Sequence, residues 1–258
     1  MLPINQIIHG DCLEVMPSIP NKSIDMILCD LPYGTTQCKW DSIIPFDKLW
    51  LQYKRIIKEH GVIVLTSAQP FTSALVMSNP NMFKYNWLWN KVKPTGHLNA
   101  KKQPLRIYED VLVFYKEQCT YNPIMIPYEK TRVDKKRPTT YIQEDGNQIY
   151  GTYEASYGVR THYYPNQEIK ISNASQRNRL HPTQKPVELF EYLIKTYTNE
   201  GDLVLDNCIG SGTTAVACIR TNRKYIGIEL DEEYYEMCLD RISKTPRKLS
   251  YLGVKDDE

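Results

Sequence analysis

The chain has 258 residues, enough for one substantial core or for one core with a small insertion. Its hydrophobic share of 41% and charged share of 24% are those of a soluble globular protein, and no stretch approaches the length of a membrane span, so no membrane partner is expected. A formal net charge of +2 provides no global electropositive surface, and any nucleic-acid contact has to come from local clusters. The seven cysteines are scattered, without a Cys-x-x-Cys pair or a Cys/His spacing suited to zinc, and no metal is expected. Several sit in apolar patterns where a free thiol acts as a small hydrophobe. Met1 to Gly10 lacks a charged flank followed by a long apolar run, so the expected setting is the reducing cytoplasm.

In chain order, Ile7-Ile8-His9 leads to Gly10-Asp11 and a short helical stretch through Met16. Asp25 to Cys29 is short, apolar and partly β-branched, the pattern of a buried strand. From Phe46 to Lys58, Leu49, Trp50, Tyr53, Ile56 and Ile57 recur at helical spacing; Gly61 is expected to end that helix, with Val62 to Leu65 as the next strand. A helix over Phe71 to Met77 and strands over Tyr85 to Trp89 and Asp110 to Tyr115 follow. From about Lys116 to Leu180 periodicity gives way to Tyr, Pro, Asn and Gln with interspersed Lys and Arg. Alternation then resumes: helix Pro186 to Tyr197, strand Leu203 to Leu205, helix Thr213 to Arg220, strand Tyr225 to Ile228, helix Glu232 to Ile242. This predicts an α/β domain with a mostly parallel sheet and helices on both faces. The domain is discontinuous, 1–115 with 181–245, interrupted by an insertion over 116–180 and followed by a polar tail, 246–258.

Two strand ends carry chemistry. Asp30-Leu31-Pro32-Tyr33 directly follows the first apolar run, placing a carboxylate, a stiff turn and an aromatic face at one sheet edge. Those parts suit holding a planar, amine-bearing ring. Far downstream, Leu203-Val204-Leu205 ends at Asp206 and runs into Ile209, Gly210, Ser211, Gly212 and Thr213. The glycines permit a tight turn and close approach to a ligand. The next strand ends at Glu229, about twenty residues on, where an acidic residue can accept hydrogen bonds from ribose hydroxyls. A P-loop lysine is absent, which disfavours a triphosphate, and Asp-x-x-x-Gly-Ser-Gly-Thr points to S-adenosyl-L-methionine.

With both motifs in this order, the chain resembles the β-class amino-group DNA methyltransferases, in which the catalytic motif precedes the cofactor motif. The resemblance is carried by Gly10-Asp11, Asp30 to Gly34, Tyr108 to Lys116, His181-Pro182-Thr183-Gln184-Lys185-Pro186, Asp206 to Thr214 and Ile226 to Asp231. It implies a Rossmann-like S-adenosylmethionine-dependent methyltransferase fold in circularly permuted order. It also implies that Asp11 bonds the cofactor's adenine amino group, that Thr183 and Lys185 hold its methionine end, and that Glu229 binds its ribose. Asp206 and the turn from Gly210 to Gly212 would surround the methionine moiety. The chain departs from the family at Ile209, where Phe is frequent, and at Leu31, where the first proline of Asp-Pro-Pro-Tyr is common. Asp30 and the Leu31 carbonyl would accept the two protons of an exocyclic amine, and Tyr33 would stack on a flipped base.

Asp at the first motif position favours adenine N6; cytosine N4 is the alternative, and a catalytically silent DNA-binding subunit a third. Cytosine C5 chemistry needs a cysteine nucleophile, usually after proline, and the chain has no Pro-Cys dipeptide. The stretch Lys91 to Arg106 (Lys91, Lys93, Lys101, Lys102, Arg106) reads as a basic loop suited to clamping phosphates of double-stranded DNA. The insertion, with Lys135, Lys136, Arg137 and many tyrosines, occupies the place of a target recognition domain. A small tyrosine-cored β domain is the competing explanation for many of the same rings. A homodimer is an admitted assembly, and a cognate restriction endonuclease an admitted functional partner.

Overall fold

The computed structural model describes residues 4–34, 41–133, 159–173 and 184–246, with the main chain alone for 130–133. In chain order these form β1 (Gln6–His9), α1 (Cys12–Val15), β2 (Ile24–Cys29), α2 (Phe46–Ile56), β3 (Ile57–Ser67), α3 (Phe71–Ser78), β4 (Phe83–Thr95) and β5 (Arg106–Phe114). There follow β6 (Ile126–Val133), β7 (Val159–Tyr163), β8 (Glu168–Lys170), α4 (Val187–Tyr197), β9 (Leu203–Asp206), α5 (Thr213–Arg220), β10 (Lys224–Glu229) and α6 (Glu232–Ser243).

The chain divides into two compact units, Met1–Asn122 with Gln167–Glu258, and Pro123–Asn166. The larger holds a sheet in the order β1-β10-β9-β2-β3-β5-β4-β8. Pairing is parallel from β1 through β3, antiparallel at β3–β5 and β5–β4, and parallel again at β4–β8. Alternation along the strands sends side chains to two cores. Met26, Leu28, Val62, Val64, Val111 and Val113 pack with Leu189, Phe190, Leu193 and Ala215 from α4 and α5. Ile27, Cys29, Ile63, Leu65, Leu112 and Phe114 pack with Leu49, Trp50, Tyr53, Phe71 and Leu75 from α2 and α3. Strands covered on both faces have to be apolar throughout, which is why they read as continuous runs. The smaller unit pairs β6 with β7 antiparallel, and the Tyr128 and Tyr163 rings lie 4.9 Å apart.

Three expectations about elements need correction. The helix ending at Gly61 stops at Ile56 instead, because Ile57 already pairs with Ile24 in β3. Gly61 lies within β3, where a Cβ would stand 2.8 Å from Ile57 Cγ1 and 3.0 Å from the Asp25 carbonyl; close packing, not a helix cap, demands the glycine. The basic loop is shorter than 91–106, since β4 runs to Thr95, which pairs with Arg106. The separate unit is narrower than 116–180: Cys119 and Ile169 are buried in the core of the larger unit, and β8 extends its sheet.

The parallel strands place their carboxyl ends on one side. β2 leads to β3 in one direction, β9 to β10 in the other, and β2 and β9 are hydrogen-bonded neighbours. Such a reversal opens a crevice outside the strand ends, the usual ligand position in doubly wound sheets. Asp30 follows β2 and Asp206 ends β9, so the two motifs flank that crevice.

Candidate active site

Asp30 is the most heavily engaged carboxylate of the crevice. Its Oδ1 accepts from the Tyr33 hydroxyl at 2.8 Å, from the Thr66 hydroxyl and from Lys185 Nζ at 2.9 Å. Lys185 also reaches Oδ2 at 2.8 Å. Lys185 precedes α4 and is 8% exposed. Burial alone would pull its ammonium pKa down, but the carboxylates of Asp30 and Glu109 outweigh that, and the pKa stands above the ordinary lysine value. The Tyr33 ring stacks on Phe71 at 5.0 Å and lies under Lys185 Nζ, 5.5 Å from the ring centroid. Burial, with the Asp30 charge beside it, raises the Tyr33 phenol well above its usual pKa, so the hydroxyl is a donor to Asp30 and not an anion.

The glycine turn is braced by side chains from four elements, β9, β10, α2 and α6. Glu229 Oε2 accepts from the Gly210 amide at 2.7 Å and Oε1 from the Asp231 amide at 3.0 Å. A carboxylate has about four acceptor sites, so both oxygens can take a further donor. Burial raises the Glu229 pKa, and the backbone N–H bonds work against that shift. Asp206 accepts from the Cys208 amide at 3.1 Å and from the Thr214 hydroxyl; burial pushes its pKa up to about 7. From α6, Arg241 donates to the Ser211 carbonyl at 2.9 Å and to Thr213 Oγ1 at 3.1 Å, and from α2 the Tyr53 hydroxyl donates to Asn207 Oδ1 at 2.5 Å. Asp11 caps α1 through the Leu13 amide at 2.8 Å. Only the short motifs were visible in the sequence; Arg241, Tyr53, Thr66 and Glu109 support them from 28 to 154 positions away along the chain.

One cavity of about 490 Å³ joins the two halves. It is lined by Asp30, Leu31, Pro32 and Tyr33 together with Asp11, Lys185, Asp206, Ile209, Gly210, Ser211, Thr213 and Glu229. Gly212 stands behind this wall, at the start of α5. Thr183, Lys135, Lys136 and Arg137 lie outside the described residues. Lys93, Lys101, Lys102 and Arg106 are exposed, but Lys91, expected beside them, is 3% exposed and lines the cavity, donating to Thr95 at 2.8 Å and Glu109 at 3.2 Å. It is held inward because strand alternation in β4 points it to the crevice, where a carboxylate balances its charge. Trp89 and Glu109 are lining residues that sequence reasoning did not assign. The one available signal was Glu109 itself, an acidic residue opening the apolar end of β5.

The family model N6_N4_Mtase, described as DNA methylase, matches residues 24–240. The type II methyltransferase M1.MboII of Moraxella bovis is 28% identical over 250 residues, covering 91% of this chain and 95% of that protein. The DNA adenine methyltransferase YhdJ of Escherichia coli is also 28% identical over 250 residues, covering 92% of this chain and 82% of its own. Among solved structures, the M1.HpyAVI–SAM complex shares the fold with a TM-score of 0.62 at 23% identity, covering 92% of this chain and 98% of that one.

Proposed function

We propose that this chain, which belongs to the N6/N4 DNA methylase family, transfers a methyl group from S-adenosylmethionine to the exocyclic N6 of adenine flipped out of duplex DNA. The observation that carries this reading is the single cavity bounded by Asp30 on one side and by Ile209, Gly210 and Ser211 on the other. Its volume lies within the range of small-molecule sites. Its wall fits the cofactor: the carboxylates of Asp11, capping α1, and of Glu229, ending β10, for the nucleoside, and a glycine turn for the methionine end. The cofactor, when bound, supplies a methyl group on a positively charged sulfur.

The chain's own residues hold the acceptor. Methyl transfer is an in-line displacement, so the amine lone pair has to point at the methyl carbon. In a ring amine that pair is delocalised. Asp30 accepts one amine proton and the Leu31 carbonyl the other, which favours pyramidal nitrogen; the nitrogen proton released after transfer passes to Asp30. Pro32 fixes the turn that sets both acceptors. Positioning of this kind is worth up to about 7–11 kcal/mol. Flipping is required because the amine is inaccessible inside the duplex. Chemistry through a cysteine nucleophile is disfavoured: the cavity-lining Cys12 thiol, hydrogen-bonded to Cys208 and buried, has a pKa well above the ordinary value.

Adenine is favoured by Asp30 as the first residue of the motif and by the similarity to the DNA adenine methyltransferase YhdJ. The exposed Lys93, Lys101, Lys102 and Arg106 offer phosphate contacts, and the unit Pro123–Asn166 is the candidate for reading the target sequence. The type II relatives make a cognate restriction endonuclease a reasonable functional companion. The test is incorporation of radiolabelled methyl groups into unmethylated genomic DNA. Wild type is expected to label it, and Asp30→Ala to lose at least about a thousandfold in rate while still binding the cofactor in calorimetry. Wild-type labelling by the Asp30→Ala variant would remove Asp30 from the mechanism.

A further inference from the structure

Four charged side chains form an alternating row through the cavity wall: Asp30, Lys185, Glu109 and Lys91. Its two carboxylates are used differently. Asp30 Oδ1 serves three donors, whereas Oδ2 has Lys185 alone among the described residues. Glu109 Oε1 accepts from Lys91, but its Oε2 is buried without a hydrogen-bond partner among the described residues and lies 3.6 Å from Lys185 Nζ. A buried carboxylate oxygen without a donor is unusual enough to need an explanation.

We propose that Glu109 is a positioning residue that takes Lys185 over from Asp30 when the substrate amine arrives. The inference rests on Asp30 being the amine acceptor. The amine enters with least crowding at Oδ2, where the one donor, Lys185, can leave without dismantling the Tyr33 and Thr66 support. Releasing an ammonium into a buried wall with no acceptor would be costly. Glu109 Oε2 removes that obstacle, since a movement of well under about 1 Å turns the 3.6 Å approach into a hydrogen bond. Lys91, fixed on Thr95, holds Oε1 and keeps the carboxylate aimed. No covalent bond is made and no proton is transferred in this exchange: Lys185 moves from one carboxylate to the other.

The experiment is a double-mutant cycle at saturating S-adenosylmethionine on unmethylated genomic DNA, using wild type, Glu109→Gln, Lys185→Met and the double variant. Thermal melting and cofactor calorimetry are run on each, with Lys185→Gln replacing Lys185→Met if the latter does not fold. Glu109→Gln is expected to lower kcat at least about tenfold with the KM for the cofactor within about twofold. In the Lys185→Met background, where nothing has to be taken over, the same change is expected to alter kcat by less than about twofold. Equal effects in the two backgrounds would overturn the proposal, as would a folded, cofactor-binding Lys185 variant with no activity at saturation. If wild type labels DNA and Asp30→Ala does not, an additive cycle removes this inference alone. If wild type labels no DNA, the methyltransferase reading and this inference fall together.

Discussion

At Asp206 a carboxylate is held with 2% of its surface exposed, and burial pushes its pKa from 3.8 up to about 7 against the opposing bonds from Thr214 and the Cys208 amide. Between those two values the folded state retains a proton that the unfolded state has lost. The group's contribution to stability therefore declines as pH rises through that window, by on the order of 1 kcal/mol per unit, and levels off above about 7. Asp206→Asn removes the ionisation. Its melting temperature relative to wild type is expected to improve from about pH 5 to about pH 7 and then level off, as followed by thermal unfolding. A difference that does not change with pH would mean that Asp206 is ionised throughout. Asp30 sits among more donors, with the Tyr33 and Thr66 hydroxyls on one oxygen and Lys185 on both. The cavity thus sets two carboxylates side by side in unlike surroundings.

At the scale of elements, the junction between the glycine turn and α5 is closely packed against α6. Gly212 has φ +81°, and a Cβ there would meet Cys238 Sγ of α6 at 2.6 Å. Gly212→Ala is expected to cost about 1–3 kcal/mol in left-handed strain plus a steric part, measured by urea unfolding. In a Cys238→Ala background the steric part should disappear and the strain remain. Equal costs in both backgrounds would show that α6 does not press on the turn. The elements most legible in the sequence were those whose determinants are local. The runs at β2, β9 and β10 and the spacing of Leu189, Phe190, Leu193 and Ile194 in α4 identify themselves. Gly61 misled because a glycine after a helical pattern usually caps it, whereas here Asp25 and Ile57 crowd it from within the sheet. β8 spans three residues and carries no pattern of its own; it exists because β4 offers an edge. Lys91 was misplaced for the same kind of reason, since its partner Glu109 lies on another strand.

Across the whole molecule, the order of the sheet makes the site. Asp30 and the turn after Asp206 are separated by most of the chain yet flank the reversal between β2 and β9. The sequence could present the two motifs, and the resemblance could say that they belong together. What it could not present was the intervening support: Thr66 near the end of β3 and Glu109 within β5, Tyr53 and Arg241 from α2 and α6. A net charge of +2 is equally uninformative until the cations are placed. Lys93, Lys101, Lys102 and Arg106 face outward while Lys91 and Lys185 balance carboxylates within. Digestion of DNA from cells expressing this chain, followed by mass spectrometry of the nucleosides, tests the central claim most directly. The account predicts N6-methyladenine that is absent when Asp30 is replaced by alanine; N4-methylcytosine in its place, or no methylated nucleoside at all, would contradict it.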